Sequence, residues 1–296
     1  MSLQHSTNKR EFALDRFFRY VFIVSALLVS LVILSIVVFV AKQGLQTFRD
    51  IGFLEFHLGT TWDPPHHFGA LPFILGSLGV TFVAVVLGAP LGLAGAIFMA
   101  KIAPRRLREI MRPATDLFVG IPSVVYGWVG LTILVPFVAE RTGGFGFGLL
   151  VAGVILAVMI LPTVISISED ALRAVPKRLE SASYALGATR WQTISRVLLP
   201  AALPGLVTAV ILGMARAIGE TMAVAMLIGN VPQIPRSLLE PTSTMTAEII
   251  LNMGQTPFGS TWNNALFYMA LTLLLISMLL IILIRFVVQR RAQDGP

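Results

Sequence analysis

The chain has 296 residues, of which 56% are hydrophobic and only 12% charged, and its mean hydropathy of +0.83 excludes an ordinary soluble domain and points to a polytopic membrane protein. A net charge of +7 does not mark a nucleic-acid binder, because the basic residues fall in short clusters beside apolar runs, where they orient helices. There is no cysteine, which excludes disulfides, thiolate catalysis and cysteine metal sites and leaves the redox compartment open.

Residues 1–19 read as a cytoplasmic tail carrying Lys9, Arg10, Arg16 and Arg19. The run 20–41 has no charge and is too long for an ordinary signal-peptide core, so a retained first transmembrane helix is expected. Five more apolar runs, near 72–100, 113–138, 148–168, 201–228 and 263–288, each supply the roughly 20 residues needed to span about 30 Å of hydrocarbon. With the N-terminus inside, seventeen basic residues fall on the inner side against Lys42, Arg49, Arg141 and Arg236 outside. That asymmetry puts both termini in the cytoplasm, including the tail 289–296. The fold class expected is an all-α membrane protein of six helices.

Ala84, Gly88, Gly92 and Ala96 form a stripe of small residues on the second helix, which lets another helix approach backbone to backbone. Gly120, Pro122, Gly127 and Gly130 in the third invite a bend. The outer segments 42–71 and 229–262 mix polar and apolar residues and are expected to fold against the membrane domain instead of acting as linkers. His57, Asp63, His66 and His67 lie in the first of them but lack a recognised ligand spacing, so no metal site is assigned.

The inner segment 169–200 contains Arg173, Lys177, Arg178, Arg190 and Arg196. Val175 and Pro176 break the incoming helix, Lys177 to Leu186 can form a short one, and Gly187 ends it. Leu179, Ala182, Tyr184 and Leu186 give this helix apolar faces suited to a groove on another protein, or to lying on lipid headgroups. Asp116, Glu169 and Asp170 are read as interfacial salt-bridge partners for Arg173 or Arg178.

The fifth run places Arg216 near mid-span with Glu220 four residues on, each costing on the order of 3 kcal/mol in a bilayer. Two readings stand: an ion pair on one helix face acting as a structural clasp, or a hydrated path in which the guanidinium fork meets an oxyanion. Ser77, Thr81, Ser123 and Tyr126 are further candidates to line a path.

Gly187 followed by Val197, Leu199 and Pro200 resembles the signature loop of ATP-binding-cassette (ABC) importer permeases, Glu-Ala-Ala, three residues, Gly, nine residues, Ile, one residue, Leu-Pro. One departure stands: Ser181 occupies the position of that pattern's glutamate, and Glu180 lies one place earlier. Ala182 and Ser183 hold the two small positions. The stretches FGALPFILGSL (68–78), GIPSVVYG (120–127), ILPTVISISEDAL (160–172), ALGATRWQTI (185–194) and RAIGETMAV (216–224), in that order, are similar to the C-type permease of the phosphate-specific importer over about residues 60–288.

The resemblance implies a type I importer core over 72–288, half of a pore that imports phosphate by alternating access in a bacterial inner membrane. It implies a second, related permease, two cytoplasmic ATPases and a phosphate-binding protein outside. Glu180, Ser181, Ala182, Ser183, Gly187, Ala188 and Arg190 would meet the ATPase, and Arg216 and Glu220 would belong to the substrate path. No cofactor is implied. None of the four lysines follows a glycine, so the phosphate-cradling GxxxxGK[ST] loop cannot be drawn and the chain is expected not to be an enzyme. A sulfate or molybdate permease is the nearest alternative, and a self-sufficient channel or secondary transporter a more distant one.

Overall fold

A computed structural model describes residues 9–293, with side-chain surroundings for residues 14–286. The outermost parts of the expected tails, 1–8 and 294–296, lie outside the described residues.

The first helix, α1 (Lys9–Gly44), is followed by a tight turn to Arg49, a short α2 (Phe53–Leu58) and a two-residue hairpin of β1 (Trp62–Asp63) and β2 (His67–Phe68). The hairpin is antiparallel, with Trp62 opposite Phe68. Next come α3 (Leu71–Ile97), α4 (Arg105–Val119), α5 (Ser123–Val129), α6 (Val135–Thr142) and α7 (Leu149–Ala174). The chain then runs through α8 (Lys177–Ala185), α9 (Arg190–Thr193), α10 (Leu199–Ile218), α11 (Met222–Leu227), α12 (Met245–Asn252) and α13 (Thr261–Gln293). Wider π-helical turns join α3 to the start of α4, α5 to α6, and α9 to α10.

Among the described residues six helical stretches are long and apolar enough to cross a membrane: Leu14–Arg49, Leu71–Ile102, Ser123–Thr142, Leu149–Ala174, Arg190–Ile218 and Thr261–Phe286. Helices are the solution because every backbone donor and acceptor is then satisfied inside the segment, where lipid offers no partner. The same economy tolerates Pro90 in α3, Pro162 in α7 and Pro204 in α10, since neighbouring helices shield the freed carbonyls.

The third span begins later than the run near 113–138 suggests. Pro122 has no N–H to give, and the chain breaks at Gly120–Pro122 between α4 and α5. What precedes the break is a separate helix that buries none of its residues, with Ile110, Leu117 and Phe118 exposed beside four arginines.

The stripe of small residues on α3 is packed against α7. A methyl group at Gly92 would meet Val164 Cγ1 at 2.7 Å, and one at Gly88 would meet Ile160 Cδ1 at 2.8 Å. Ala84 and Ala96 are fully buried on the same side. Absent side chains here allow two backbones to come close enough for continuous van der Waals contact.

Three apolar clusters stack along the bundle. The central one joins α3, α5, α7 and α11 around Leu156, Ile160, Val224 and Leu227. A second unites the segment after α1 with the start of α3, α12 and α13 around Phe56, Phe73, Met245 and Met269. There Trp62 donates its indole N–H to Glu248 at 2.8 Å, so the two segments outside the spans are tied to each other and to the bundle. The third, at the opposite end, packs Ala96, Leu172, Val175, Ile194 and Leu198 beneath α8 and α9.

Candidate functional site

Two regions carry the residues singled out above, one within the fifth span and one at the loop between the fourth and fifth.

In the first, a clasp between Arg216 and Glu220 is not formed. The two would share a face only on a continuous helix, and α10 ends at Ile218. Gly219 closes it, and Glu220 turns its carboxylate onto the next helix: Oε1 accepts from the backbone N–H of Thr221 at 3.1 Å and of Ala223 at 3.4 Å. A carboxylate satisfies the orphan donors at a helix start and complements the positive end of its dipole. Arg216 sits in the last turn of α10, the favourable end for a cation. Each charge is thus used by a different helix end, and the break replaces the pair.

Arg216 is half-buried and donates from Nη1 to the Thr163 hydroxyl on α7 at 3.3 Å. Tyr126 on α5 donates its hydroxyl to the carbonyl of Phe118 at 3.0 Å. Two spans, α7 and α10, therefore meet at the guanidinium, and among the described residues no carboxylate pairs with it. A cation held by a neutral hydroxyl keeps most of its donors for an incoming oxyanion. From the other side Thr246 of α12 donates to the Glu220 carbonyl at 3.0 Å, fixing the break against the segment 229–262.

Of the other path candidates, Ser77 and Thr81 turn inward. Thr81 donates to the Ser77 carbonyl at 2.7 Å, and the Ser77 hydroxyl accepts from the N–H of Met245 at 3.0 Å. Both are almost fully buried, holding α12 on α3. Ser123 is partly exposed at the start of α5. Of the histidines of the first outer segment, His57 serves local packing, sharing a hydrogen bond with the Phe53 carbonyl at 2.8 Å and meeting Tyr268 edge-on, while His66 and His67 are exposed. Among the described residues no group of three or more His, Cys, Asp or Glu could hold a metal ion.

In the second region α8 runs from Lys177 to Ala185, and Gly187 ends it with φ +78° and open space around its Cα. Its N–H returns to the Tyr184 carbonyl at 3.0 Å and that of Ala188 to Ser183 at 3.2 Å, a left-handed cap that glycine adopts without strain. Thr189 then opens α9 through a capping box with Gln192. Ser183 is the buried residue of α8, sharing a hydroxyl bond of 2.9 Å with Thr193. Glu180 pairs with Lys101 at 2.8 Å, and Arg190 donates to the Lys101 carbonyl. Ser181, Ala182 and Tyr184 are exposed. Leu186 is 89% exposed and Trp191 65%, an apolar tip at the start of the fifth span.

Of the acidic groups near the helix ends, Glu169 pairs with Arg173 and Asp170 with Arg112 at 3.0 Å. Thr163 and Lys101 were not among the residues singled out in the sequence. Thr163 carried a weak signal, a small hydroxyl one place after Pro162 in an apolar run; Lys101 carried none beyond its charge.

Comparison with known proteins agrees with this layout. Residues 89–293 match the family model described as "Binding-protein-dependent transport system inner membrane component". The chain is 50% identical to the "Probable ABC transporter permease protein YqgH" of Bacillus subtilis over 90% of its length and 88% of that protein's. It is 33% identical to the "Phosphate transport system permease protein PstC" of Mesorhizobium japonicum, covering 95% of this chain and 92% of that one. Among solved structures, a bacterial alginate ABC transporter aligns over 95% of this chain and 99% of its own with a TM-score of 0.66 at 16% identity, a likeness of fold. An inward-facing MetNI methionine ABC transporter aligns over 74% and 92% with a TM-score of 0.54 at 28% identity. The chain belongs to the binding-protein-dependent ABC importer permeases: it is a multi-pass inner-membrane subunit, not itself catalytic, that works with an ATPase and a binding protein.

Proposed function

We propose that this chain forms half of the translocation pathway of an ATP-driven phosphate importer, with Arg216, in the last turn of the fifth span, as the group that attracts the anion. The observation that carries the reading is the guanidinium between α7 and α10, held by the Thr163 hydroxyl and, among the described residues, not by a carboxylate. Phosphate suits it, since a planar fork of donors meets two oxygens of a tetrahedral oxyanion at once. Glu220, one short break away, limits how tightly an anion is held, so that the site can empty. Relatives named as phosphate permeases support the substrate class.

In this reading both termini and α8 face the cytoplasm, and the segments 42–71 and 229–262 face the binding protein. Two ATPases dock at the paired permeases, here on Ser181, Ala182, Leu186 and Trp191, with Gly187 letting the chain turn and Ser183, Ala188 and Arg190 holding the tip in place. The second, related permease covers the apolar surface that α4 and α5 leave exposed, where Leu117, Phe118, Val125 and Trp128 are uncovered.

The test is uptake of labelled phosphate in cells whose sole candidate importer contains this chain, with excess unlabelled sulfate or molybdate as competitor. Uptake that needs the chain, resists both competitors and falls in Arg216→Gln at equal membrane abundance is expected. Competition by sulfate or molybdate would move the assignment to that oxyanion. Uptake unchanged in Arg216→Gln would remove the arginine from the pathway.

A further inference from the structure

Under α8, on the side facing the bundle, the ends of α3, α4 and α7 enclose an open cavity of about 550 Å³. Four cations line it, Lys101, Arg108, Arg173 and Lys177, against one carboxylate, Glu180. Two of those charges are already met: Lys101 by Glu180 and Arg173 by Glu169 just behind the wall. The other two are not. Arg108 donates from Nε to the Met99 carbonyl at 2.8 Å and from Nη2 to the Ala103 carbonyl at 3.3 Å. Carbonyl oxygens fix the guanidinium's direction but bring no formal negative charge, and the side chain lines the cavity with no carboxylate partner among the described residues. Lys177 is exposed at the rim and has no ion-pair partner among the described residues. Ser181 and Tyr184 add hydroxyls to the same wall.

We propose that this cavity is a second anion site, distinct from Arg216, that takes a phosphate group. A preoriented arginine edge with a mobile lysine beside it matches the oxygens of a phosphate better than a lone carboxylate, and two unmet positive charges match its one to two negative ones. Basic pockets at the ends of spans capture the headgroups of anionic lipids by this chemistry, and free inorganic phosphate presents the same group. An occupant bridging Arg108 and Lys177 joins α4 to α8, so its binding stiffens the helix assigned above to ATPase docking.

The experiment uses the full importer complex in nanodiscs, in two arms. One measures retention of phosphatidylglycerol over phosphatidylcholine by native mass spectrometry, the other binding of labelled inorganic phosphate in pure phosphatidylcholine. Each arm compares wild type with Lys177→Gln, Arg108→Gln and Arg216→Gln. Removing one cavity cation is expected to lower retention about five-fold, while Arg216→Gln leaves the cavity's share intact. Loss confined to the first arm identifies a lipid headgroup; loss in the second identifies free phosphate. The exposed Lys177 ammonium makes no ion pair among the described residues, so its variant reads binding and not folding. Retention by Lys177→Gln equal to wild type in both arms overturns the proposal, and this outcome is independent of whether Arg216→Gln abolishes transport.

Discussion

Lys101 holds both arms of the loop between the fourth and fifth spans: its ammonium lies 2.8 Å from the Glu180 carboxylate, and its carbonyl accepts from Arg190. Glu180 stands one residue ahead of the position that the importer signature gives its glutamate. One residue is about 100° of helix rotation, and at its own position Glu180 sets its carboxylate against Lys101 at the end of the second span. α8, the helix proposed to dock the ATPase, is therefore strapped to the chain's own bundle by a charge pair whose side chains are only 15% and 27% exposed.

Breaking that strap should weaken transmission from ATPase to pore more than it weakens the fold. A partly buried pair of this kind is worth about 1 kcal/mol, so Glu180→Gln and Lys101→Gln are each expected to leave membrane abundance near normal while uptake falls about five-fold. The exchanged pair Lys101→Glu with Glu180→Lys should recover most of the loss. An exchange no better than the single variants would show that the residues act separately.

The apolar tip makes a second prediction. Leu186 is 89% exposed, so Leu186→Asp removes nothing from the core. Burying a leucine at an interface contributes about 2 kcal/mol, and the variant should reduce co-purification of the ATPase roughly thirty-fold in apparent affinity. Equal recovery of ATPase with wild type and variant would relocate the docking surface.

Glu248 gives the pH dependence. It is 8% exposed, and desolvation raises its pKa above the ordinary glutamate value of 4.5, opposed only in part by hydrogen bonds from Trp62 and Asn252. The folded protein then binds this proton more tightly than the unfolded chain does. Stability contributed here is full below the ordinary value, declines as pH rises through the raised one, and stays reduced above it. Glu248→Gln keeps an oxygen for Trp62 and abolishes the charge, so its melting temperature at pH 7.5 should exceed wild type's. The gap should close toward pH 4. Equal melting temperatures across that range would contradict the assignment.

The spans were legible because nothing competes with an uninterrupted apolar run of sufficient length, and Gly187 was legible because a helix in water needs a terminator. The break at Gly219–Thr221 was not. Glycine is tolerated within membrane helices, and a carboxylate four residues after an arginine fits an unbroken helix as readily as a broken one. What decides is tertiary: Thr246 arrives from a distant segment to take the Glu220 carbonyl. Thr163 and Lys101 were hidden for a related reason, since their partners lie 53 and 79 residues away in the chain. The run near 113–138 starts too early because the last turns of α4, with Leu117, Phe118 and Val119, continue the apolar composition of α5, and the break between the two shows only in the structure.

The break also separates the two roles that a clasp would have merged. If Arg216 and Glu220 were an ion pair, reversing both charges would restore it. They serve different helix ends instead, with Glu220 on the first N–H groups of α11 and Arg216 on Thr163. The exchange Arg216→Glu with Glu220→Arg therefore puts a cation at a helix start and an anion at a helix end, each on the wrong side of its dipole. We expect it to be at least as inactive as either single change. Glu220→Gln, whose amide oxygen can still accept from Thr221 and Ala223, should retain the fold and alter anion release. A double-mutant cycle built from Arg216→Gln and Glu220→Gln on melting temperature should show coupling below about 0.5 kcal/mol, the level found for sites without a shared contact. Recovery of uptake in the charge exchange would restore the clasp and require α10 to run continuously through Glu220 during transport.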